Sequence, residues 1–220
     1  MSQETFEPNY IAIEGVIGAG KTSFAEMLTE ALGAEQINDE IFSNPFLVDF
    51  YKNRKRYAFS CQLFFLLSRF QQQQQLQTRD LFAKRIIADY LFARDSIFAS
   101  VNLSDRELAL YNRIAPVLAG DIPKPDLVIY LQASTSVLLQ RIRKRNLPFE
   151  RSVDSDYVEN LNNAFDYFFF NYQETPLLVV RTDNIDFVNT PRHFDDLMEQ
   201  ISKPIAGKKY YSPAGDLTSI

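Results

Sequence analysis

The sequence from Tyr10 to Thr22 reads YIAIEGVIGAGKT: a short apolar run leads into a glycine-rich loop, which ends in a lysine and a threonine. This stretch contains the spacing G-x-x-x-x-G-K-[ST], placed after a predicted strand and before a predicted amphipathic helix. In such a loop the backbone N–H groups surround phosphate oxygens, the lysine adds positive charge, and the threonine hydroxyl can bind Mg²⁺. We therefore predict a nucleoside triphosphate site formed by Gly15, Val16, Ile17, Gly18, Ala19, Gly20, Lys21 and Thr22.

Short runs rich in Ile, Val and Leu recur beyond this loop and alternate with segments of helical character. Runs so short and so uniformly apolar are typical of buried parallel strands joined by helical crossovers. We predict an α/β fold in three layers, with a five-stranded parallel sheet flanked by helices. The predicted strands are 10–14, 34–38, 85–89, 127–132 and 177–182. The predicted helices are 21–32, 45–77, 90–99, 105–118, 135–145, 154–171 and 191–201.

The composition is that of a folded protein with an aromatic core. Of 220 residues, 46% are hydrophobic and 14% aromatic, with 19 Phe, 11 Tyr and no Trp. These values exclude disordered and collagen-like chains, and they predict rings packed between helices and sheet. We expect a single domain over residues 1–202 and a loose C-terminal tail over 203–220, which contains two prolines and two glycines.

Charge and apolar patterning argue against polymeric or membrane partners. The formal net charge of -5 at pH 7 repels nucleic acid polymers and acidic membranes. The longest apolar stretch, Leu63 to Leu67, is too short to span a bilayer, and the acidic N-terminus differs from a signal peptide. A single cysteine, Cys61, and a single histidine, His193, argue against a disulfide or a zinc site. We expect a cytoplasmic protein that binds small molecules.

A carboxylate, Asp89, ends the predicted strand 85–89. Because the carboxyl ends of parallel strands face the ligand crevice, Asp89 is expected to point toward the glycine-rich loop. There it can accept the proton of an attacking hydroxyl or bind Mg²⁺ through water. The alternative is that Asp89 only caps the helix predicted to begin near Tyr90.

A basic cluster of Arg141, Arg143, Lys144 and Arg145 lies late in the predicted helix 135–145. Arg141 and Arg145 share one helical face, and we expect them to close over the transferring phosphate in a lid of about residues 141–153. The alternative is that these cations only interact with the C-terminal end of the helix dipole.

The glycine-rich loop alone leaves the phosphate acceptor open. The guanine motif N-K-x-D is absent from the sequence, and the chain is too short for a motor or helicase core. A small-molecule kinase is favoured, in which the loop holds ATP with Mg²⁺ and a separate pocket holds the acceptor.

Further blocks of sequence support a specific resemblance. They are Asn44-Pro-Phe-Leu with Phe50-Tyr51, the run from Tyr57 to Arg69, the strand end at Asp89, and the segment 141–150. Together with the loop they occur in the order seen in deoxyribonucleoside kinases, and over about residues 8–202 the chain resembles the bacterial deoxyguanosine and deoxyadenosine kinases. This resemblance implies a homodimer that uses ATP to phosphorylate the 5′-hydroxyl of a deoxyribonucleoside, with purines preferred.

The same resemblance implies a nucleobase pocket. Gln62 would hydrogen-bond the base, because an amide offers a donor and an acceptor in one plane. Arg69 would lie at the far edge of the base, where Asp95 pairs with it. Phe65 and Phe92 would be neighbours of the ring.

The sugar site follows from the resemblance as well. Tyr51 and Glu150 would hold the 3′-hydroxyl. The carboxylate near the 5′-hydroxyl is Asp39 or Glu40: counting back from Asn44 selects Asp39, whereas residue type favours Glu40.

Two alternatives stay open, one of them because of departures from the family pattern. Tyr90 follows Asp89 where the family often has arginine, and the lid reads Arg145-Asn146-Leu147 where it usually reads Arg-Gly-Arg. One alternative is therefore a nucleotide-binding module that has lost phosphoryl transfer; another is a nucleoside monophosphate kinase. The glutamine tract 71–75 is predicted to be the exposed end of the long helix.

Overall fold

A parallel six-stranded sheet forms the centre of the part of the chain that the structure describes. The computed structural model describes residues 7–77, 85–120 and 122–213. Its strands are β1 (Tyr10–Glu14), β2 (Glu35–Ile37), β3 (Ile86–Ala88), β4 (Leu127–Gln132), β5 (Leu177–Arg181) and β6 (Lys208–Tyr211). They lie in the order β2-β3-β1-β4-β5-β6, with every neighbouring pair parallel.

Helices flank this sheet, and the predicted α/β fold is confirmed. In the described ranges no helix has both the length and the apolar character needed to cross a membrane. Short 3-10 helices cover Ile41–Ser43 and Pro148–Ser152. The α-helices of the described ranges are α1 (Lys21–Leu32), α2 (Leu47–Lys52), α3 (Arg54–Gln77), α4 (Arg94–Asn102), α5 (Asp105–Ala119), α6 (Thr135–Arg145), α7 (Ser155–Asn171) and α8 (Pro191–Ile201).

The register of the central strands positions the site. All five residues of β1 are buried, and β1 lies between β3 and β4. Ala12 pairs with Ala88, so Asp89 follows β3 at the level of Ile13, just before the glycine-rich loop. The carboxyl ends of β1 and β3 therefore bring Glu14 and Asp89 to the same edge of the sheet.

Aromatic rings fill the space between β4 and α7, as the composition predicted. Tyr130 of β4 stacks on Phe169 of α7 with 4.2 Å between ring centroids. Phe165, one turn earlier on α7, packs on Tyr130 and on Phe98 of α4. All three of Tyr130, Phe165 and Phe169 are buried, so this cluster joins the sheet to the helices on that face.

The sheet has six strands where five were predicted. The additional strand, β6, lies within the segment 203–220 that was expected to be a loose tail, and it pairs with β5 from Lys208 opposite Leu177. Its sequence, KKYY, carries two lysines and lacks an apolar run. An edge strand needs few apolar side chains, because its pairing depends on backbone hydrogen bonds, so its composition resembled that of a tail.

Two helix boundaries also differ from the prediction. The helix predicted over 45–77 is two helices, since Asn53 has the non-helical angles φ -148° and ψ 82° and its side-chain oxygen accepts a hydrogen bond from the Arg56 N–H. The helix predicted from Tyr90 begins at Arg94, so residues 90–93 form a turn.

One residue of the glutamine tract is buried, so its prediction as an exposed helix end was incomplete. Gln73 is 1% exposed, and its amide nitrogen donates to the hydroxyls of Tyr10 and Tyr90, at 3.2 Å in each case. The Tyr90 hydroxyl in turn donates to Gln72 Oε1 at 2.9 Å. Two consecutive glutamines, Gln72 and Gln73, thus join α3 to β1 and to the turn after β3.

Candidate active site

The glycine-rich loop adopts a conformation that requires glycine. Gly18 and Gly20 have φ values of +86° and +96°, in the left-handed region that disfavours other residues. A side chain at Gly18 would also meet the Leu138 carbonyl oxygen at 2.9 Å. Since α1 begins at Lys21, the loop turns directly into a helix N-terminus, where unpaired N–H groups favour anions.

Lys21 lies against the loop and between charged groups of both signs. Its ammonium donates to the carbonyl oxygens of Gly15 at 2.8 Å and Val16 at 3.1 Å. Burial, and then the nearby guanidinium of Arg94, lower the pKa of Lys21 to about 7, while Glu14 and Asp89 oppose this shift. An incoming polyphosphate would restore the full charge of this lysine.

Asp89 connects the glycine-rich loop to the segment after β2. The Thr22 hydroxyl donates to Asp89 Oδ2 at 3.0 Å, and the Asp39 N–H donates to Oδ1 at 2.6 Å. The alternative that Asp89 caps the helix predicted from Tyr90 is wrong, because α4 begins at Arg94 and Asp89 faces the loop instead.

One cavity of about 120 Å³ brings together side chains from the glycine-rich loop, the segment after β2, α2, α3, α4 and the segment after α6. Its phosphate end is lined by Lys21 and Thr22, and its opposite end by Gln62 and Asp95. We refer to it below as the acceptor cavity. Predicted site residues that line it are Ile17, Gly18, Lys21, Thr22, Asp39, Tyr51, Gln62, Arg69, Asp89, Asp95, Arg145 and Glu150.

Arg69 links two carboxylates across this cavity. Its Nε and Nη2 donate to Asp39 Oδ1 at 3.0 Å and Oδ2 at 2.8 Å, and its Nη1 donates to Asp95 Oδ1 at 2.5 Å. Although burial acts to raise the pKa of Asp39, Arg69 and then Arg94 hold it below its ordinary value. Burial raises the pKa of Asp95 to about 6 against the opposing effect of Arg69. Asp39 is therefore a carboxylate at neutral pH, as a proton acceptor must be.

The far end of the cavity carries two buried hydrogen-bonding side chains, Gln62 and Asp95. Gln62 Nε2 donates to the carbonyl oxygen of Asp95 at 3.0 Å and to its Oδ1 at 2.8 Å. Asp95 Oδ2 is buried and has no hydrogen-bond partner within the described residues. Phe65 and Phe98 line the acceptor cavity, whereas Phe92 lines a different cavity.

Tyr51 and Glu150, the residues predicted to hold the sugar, both line the acceptor cavity. Glu150 is buried, and its two oxygens accept hydrogen bonds from Arg145 at 2.5 and 3.2 Å. Burial, Tyr157 and Glu150, in that order, raise the pKa of Tyr51. Asn146 has φ +52°, so it fills a left-handed position that asparagine tolerates better than most residues.

Two predicted catalytic residues, Glu40 and Arg141, do not line the acceptor cavity. Glu40 is exposed and does not line the acceptor cavity, so the choice from counting, Asp39, is the one that the structure places there. Arg141 donates to the carbonyl oxygens of Ala19, Thr182 and Ile185, and to the Thr182 hydroxyl. It thus joins the glycine-rich loop to the segment after β5 and does not project into the acceptor cavity.

A second cavity, of about 510 Å³, opens on the other side of the glycine-rich loop. Val137, Gln140 and Arg141 of α6 form one wall, and residues of the range 183–189 form the other. Its position next to Gly18–Thr22 suits the base and sugar of a bound triphosphate. No sequence pattern marked residues 183–189, which lie in an irregular segment after β5.

Two charged residues of the acceptor side were also missed. Glu14 is fully buried, and its oxygens accept from the N–H groups of Gly15 and Leu91, at 2.9 Å each. Arg94 is buried, and its Nη1 lies 3.4 Å from Asp39 Oδ2 and 3.7 Å from Glu14 Oε1. The position of Glu14 at the end of a buried strand, like that of Asp89, was a signal that could have identified it.

Comparison with known proteins shows which protein family this chain matches. Residues 11–206 match the family model for deoxynucleoside kinases. The chain is 39% identical to a deoxyguanosine kinase of Bacillus subtilis over 203 residues, which cover 89% of this chain and 97% of that protein. It is 37% identical to a deoxyadenosine kinase of Dictyostelium discoideum over 173 residues, covering 76% and 69% of the two chains.

Solved structures show the same fold. A deoxyadenosine kinase from M. mycoides with bound dATP superposes with a TM-score of 0.77 at 27% identity, covering 87% of this chain and 98% of the other. The same enzyme with bound dCTP gives a TM-score of 0.74 at 28% identity with the same coverage.

Proposed function

The chain belongs to the deoxynucleoside kinase family, and from that premise we propose that it transfers the γ-phosphoryl group of ATP to the 5′-hydroxyl of a purine deoxyribonucleoside. The observation that carries this proposal is the acceptor cavity, which has phosphate-binding groups at one end and an amide and a carboxylate at the other. A nucleoside whose 5′-carbon points at Lys21 and whose base meets Gln62 spans these two ends.

In the proposed reaction Asp39 is the general base. A bond forms between the 5′-oxygen and the γ-phosphorus while the bond from that phosphorus to the β–γ bridging oxygen breaks, and ADP leaves. The hydroxyl proton passes to the Asp39 carboxylate. This role is supported by the position of Asp39 beside Asp89 and by its guanidinium neighbours, which hold it ionised.

Residues of this chain fit Mg²⁺ by the chemistry of their donors. The Thr22 hydroxyl and the Asp89 carboxylate lie 3.0 Å apart at the end of the glycine-rich loop. Mg²⁺ prefers such hard oxygen ligands and keeps several waters and phosphate oxygens. The metal would supply charge neutralisation to the phosphates, and Thr22 and Asp89 would hold it.

We propose that the substrate base is a purine, because the far end of the acceptor cavity carries hydrogen-bonding groups that complement purine edges. Asp95 Oδ2, buried and without a partner in the described residues, can accept from an exocyclic amino group, as adenine offers. Arg69 can donate to the O6 or N7 of guanine if the base displaces part of its link to Asp95. Named relatives act on deoxyguanosine and deoxyadenosine, which agrees with this assignment.

Arg141 and Arg145 have different proposed roles. Arg145 donates a hydrogen bond to Glu150 and so would fix the position of its carboxylate. Glu150 and Tyr51 would in turn orient the 3′-hydroxyl of the sugar. Arg141 would shape the donor site through its four backbone and hydroxyl contacts.

We also propose that the enzyme works in the cytoplasm as a homodimer. Burial raises the pKa of Cys61 to about 12, so this thiol is unreactive, and a single free cysteine needs no oxidising compartment. A surface groove between α4 and α7 is lined by Ile97, Ala164 and Phe168, with Tyr167 75% exposed beside it. This groove is the proposed site of the second copy.

Steady-state kinetics with four deoxynucleosides and two deoxynucleoside monophosphates tests the proposal. We expect ATP-dependent turnover of deoxyguanosine and deoxyadenosine, weak turnover of thymidine, and none in Lys21→Met. Preference for a monophosphate would favour a nucleoside monophosphate kinase. Binding of ATP and deoxynucleoside without ADP release would favour a binding module, and thymidine turning over faster than both purines would reject the purine assignment.

A further inference from the structure

Arg94 is a buried cation on the wall of the acceptor cavity. It is the first residue of α4, 7% exposed, and it lines the cavity together with Lys21, Thr22 and Asp39. Its guanidinium lies 5.3 Å from the centroid of the Phe98 ring, one helical turn further on. The Arg94 side chain therefore packs on Phe98 of its own helix and lies at the phosphate end of the cavity.

The guanidinium of Arg94 has unused hydrogen-bond donors. Its approaches to Asp39 and Glu14, at 3.4 and 3.7 Å, are ion pairs without a hydrogen bond in the described ranges. The donors of Arg69, by contrast, bind two carboxylates, and those of Arg141 bind carbonyl and hydroxyl oxygens. Because no hydrogen bond within the described ranges occupies these donors and Arg94 lines the acceptor cavity, its guanidinium is available to bind a ligand there.

The charge of that ligand follows from the neighbours of Arg94. Lys21 and Arg94 both line this cavity beside the carboxylates of Asp39 and Asp89, so two cations repel each other at this end of it. An anion between them would remove that repulsion and accept their donors. A phosphoryl group is such an anion, and the glycine-rich loop delivers one to this point.

Tyr90 cannot contact a phosphoryl group in the acceptor cavity. It occupies the position after Asp89, is 0% exposed, and its hydroxyl is bonded to Gln72 and Gln73 on the side of α3. Four residues later, where α4 begins, Arg94 does line the acceptor cavity.

We propose that Arg94 binds the transferring phosphoryl group and then the 5′-phosphate of the product monophosphate, an inference that rests on the proposed function. Its guanidinium contacts the phosphate from the acceptor side, opposite the glycine-rich loop. Arg94 is thus a catalytic residue for the transfer, and the monophosphate product contains the group that it recognises.

Calorimetric binding of deoxyguanosine and of its 5′-monophosphate tests this role, because only the second ligand carries the phosphate. We expect Arg94→Met to weaken monophosphate binding by about tenfold to a hundredfold, as for loss of charge-assisted hydrogen bonds, with nucleoside affinity within about threefold of wild type. Arg94→Lys should recover part of the loss. Arg113→Met, an exposed arginine of α5, should change neither affinity.

Equal loss of both affinities in Arg94→Met, or no loss of either, would overturn the inference. If thermal unfolding shows that Arg94→Met does not fold, the comparison is made with Arg94→Lys, whose monophosphate affinity must fall by more than its nucleoside affinity. Wild-type protein that binds neither ligand would reject the proposed function itself, which is a separate outcome.

Discussion

Replacing Asp39 with asparagine tests the choice between two adjacent carboxylates. Asp39→Asn keeps the shape of the side chain and removes its ability to take a proton. Glu40→Gln makes the equivalent change at an exposed position outside the acceptor cavity, so it is the matched control. Asp39 accepts two hydrogen bonds from Arg69, and Arg94 lies 3.4 Å away.

The expected effects on rate and stability differ in size. Loss of a general base lowers kcat by about 10²–10⁴, which is about 3–6 kcal/mol in the activation free energy at about 1.4 kcal/mol per tenfold. Removing one partner of a buried ion pair costs up to about 3–5 kcal/mol of stability. The asparagine oxygen still accepts from Arg69, and Arg69 keeps Asp95, so we expect a smaller loss of folding free energy.

A coupled ADP-release assay with deoxyguanosine measures kcat, and chemical denaturation measures stability. Because guanidinium neighbours lower the pKa of Asp39, the wild-type enzyme should lose no activity to its protonation as the pH falls to about 5. Glu40→Gln should stay within about twofold of wild type. If Asp39→Asn keeps kcat within tenfold, or if Glu40→Gln is the more damaging change, the assignment of the base is wrong.

Three further predictions concern the other parts of the site. Gln62→Ala should lower kcat/KM for every accepted deoxynucleoside by at least about a hundredfold, since a buried base edge loses its partner; unchanged kinetics would make Gln62 a core residue only. Lys21 has its pKa lowered to about 7, so ATP binding at about pH 8 should take up a proton, measured by calorimetry in buffers of different ionisation enthalpy; the same uptake in Lys21→Met would contradict this origin. Tyr90→Phe should lower the free energy of unfolding by about 1–2 kcal/mol by removing the bonds to Gln72 and Gln73, and an unchanged melting temperature would show that these bonds contribute little.

The parts of the fold that sequence predicted are those with strong local patterns. The strand before the glycine-rich loop, the loop itself and α1 follow from apolar runs, glycine spacing and helical periodicity. The sixth strand could not be predicted, because Lys208–Tyr211 pairs through its backbone and carries no apolar pattern. The break at Asn53 depends on a side-chain cap that competes with a continuous helix, and the sequence does not decide that competition.

Some residues of the candidate site could likewise be predicted from the sequence, and others could not. Resemblance to a family indicated Gln62, Arg69 and Asp95, which the structure brings to one cavity. Arg94 was missed because the prediction looked for arginine next to Asp89, and only the turn over residues 90–93 brings the later residue to the same cavity. Arg141 shared a helical face with Arg145, but periodicity alone could not show that its guanidinium bonds to the segment after β5.

Phosphorus NMR of the reaction product tests the central proposal most directly. Enzyme, ATP, Mg²⁺ and deoxyguanosine should yield ADP and one new phosphomonoester, whose phosphorus couples to the two hydrogens of the 5′-carbon and so appears as a triplet. Lys21→Met should give no such signal. A doublet, which a 3′-phosphate would give, or ADP formed without any phosphomonoester, would contradict the account of this site as a deoxynucleoside 5′-kinase.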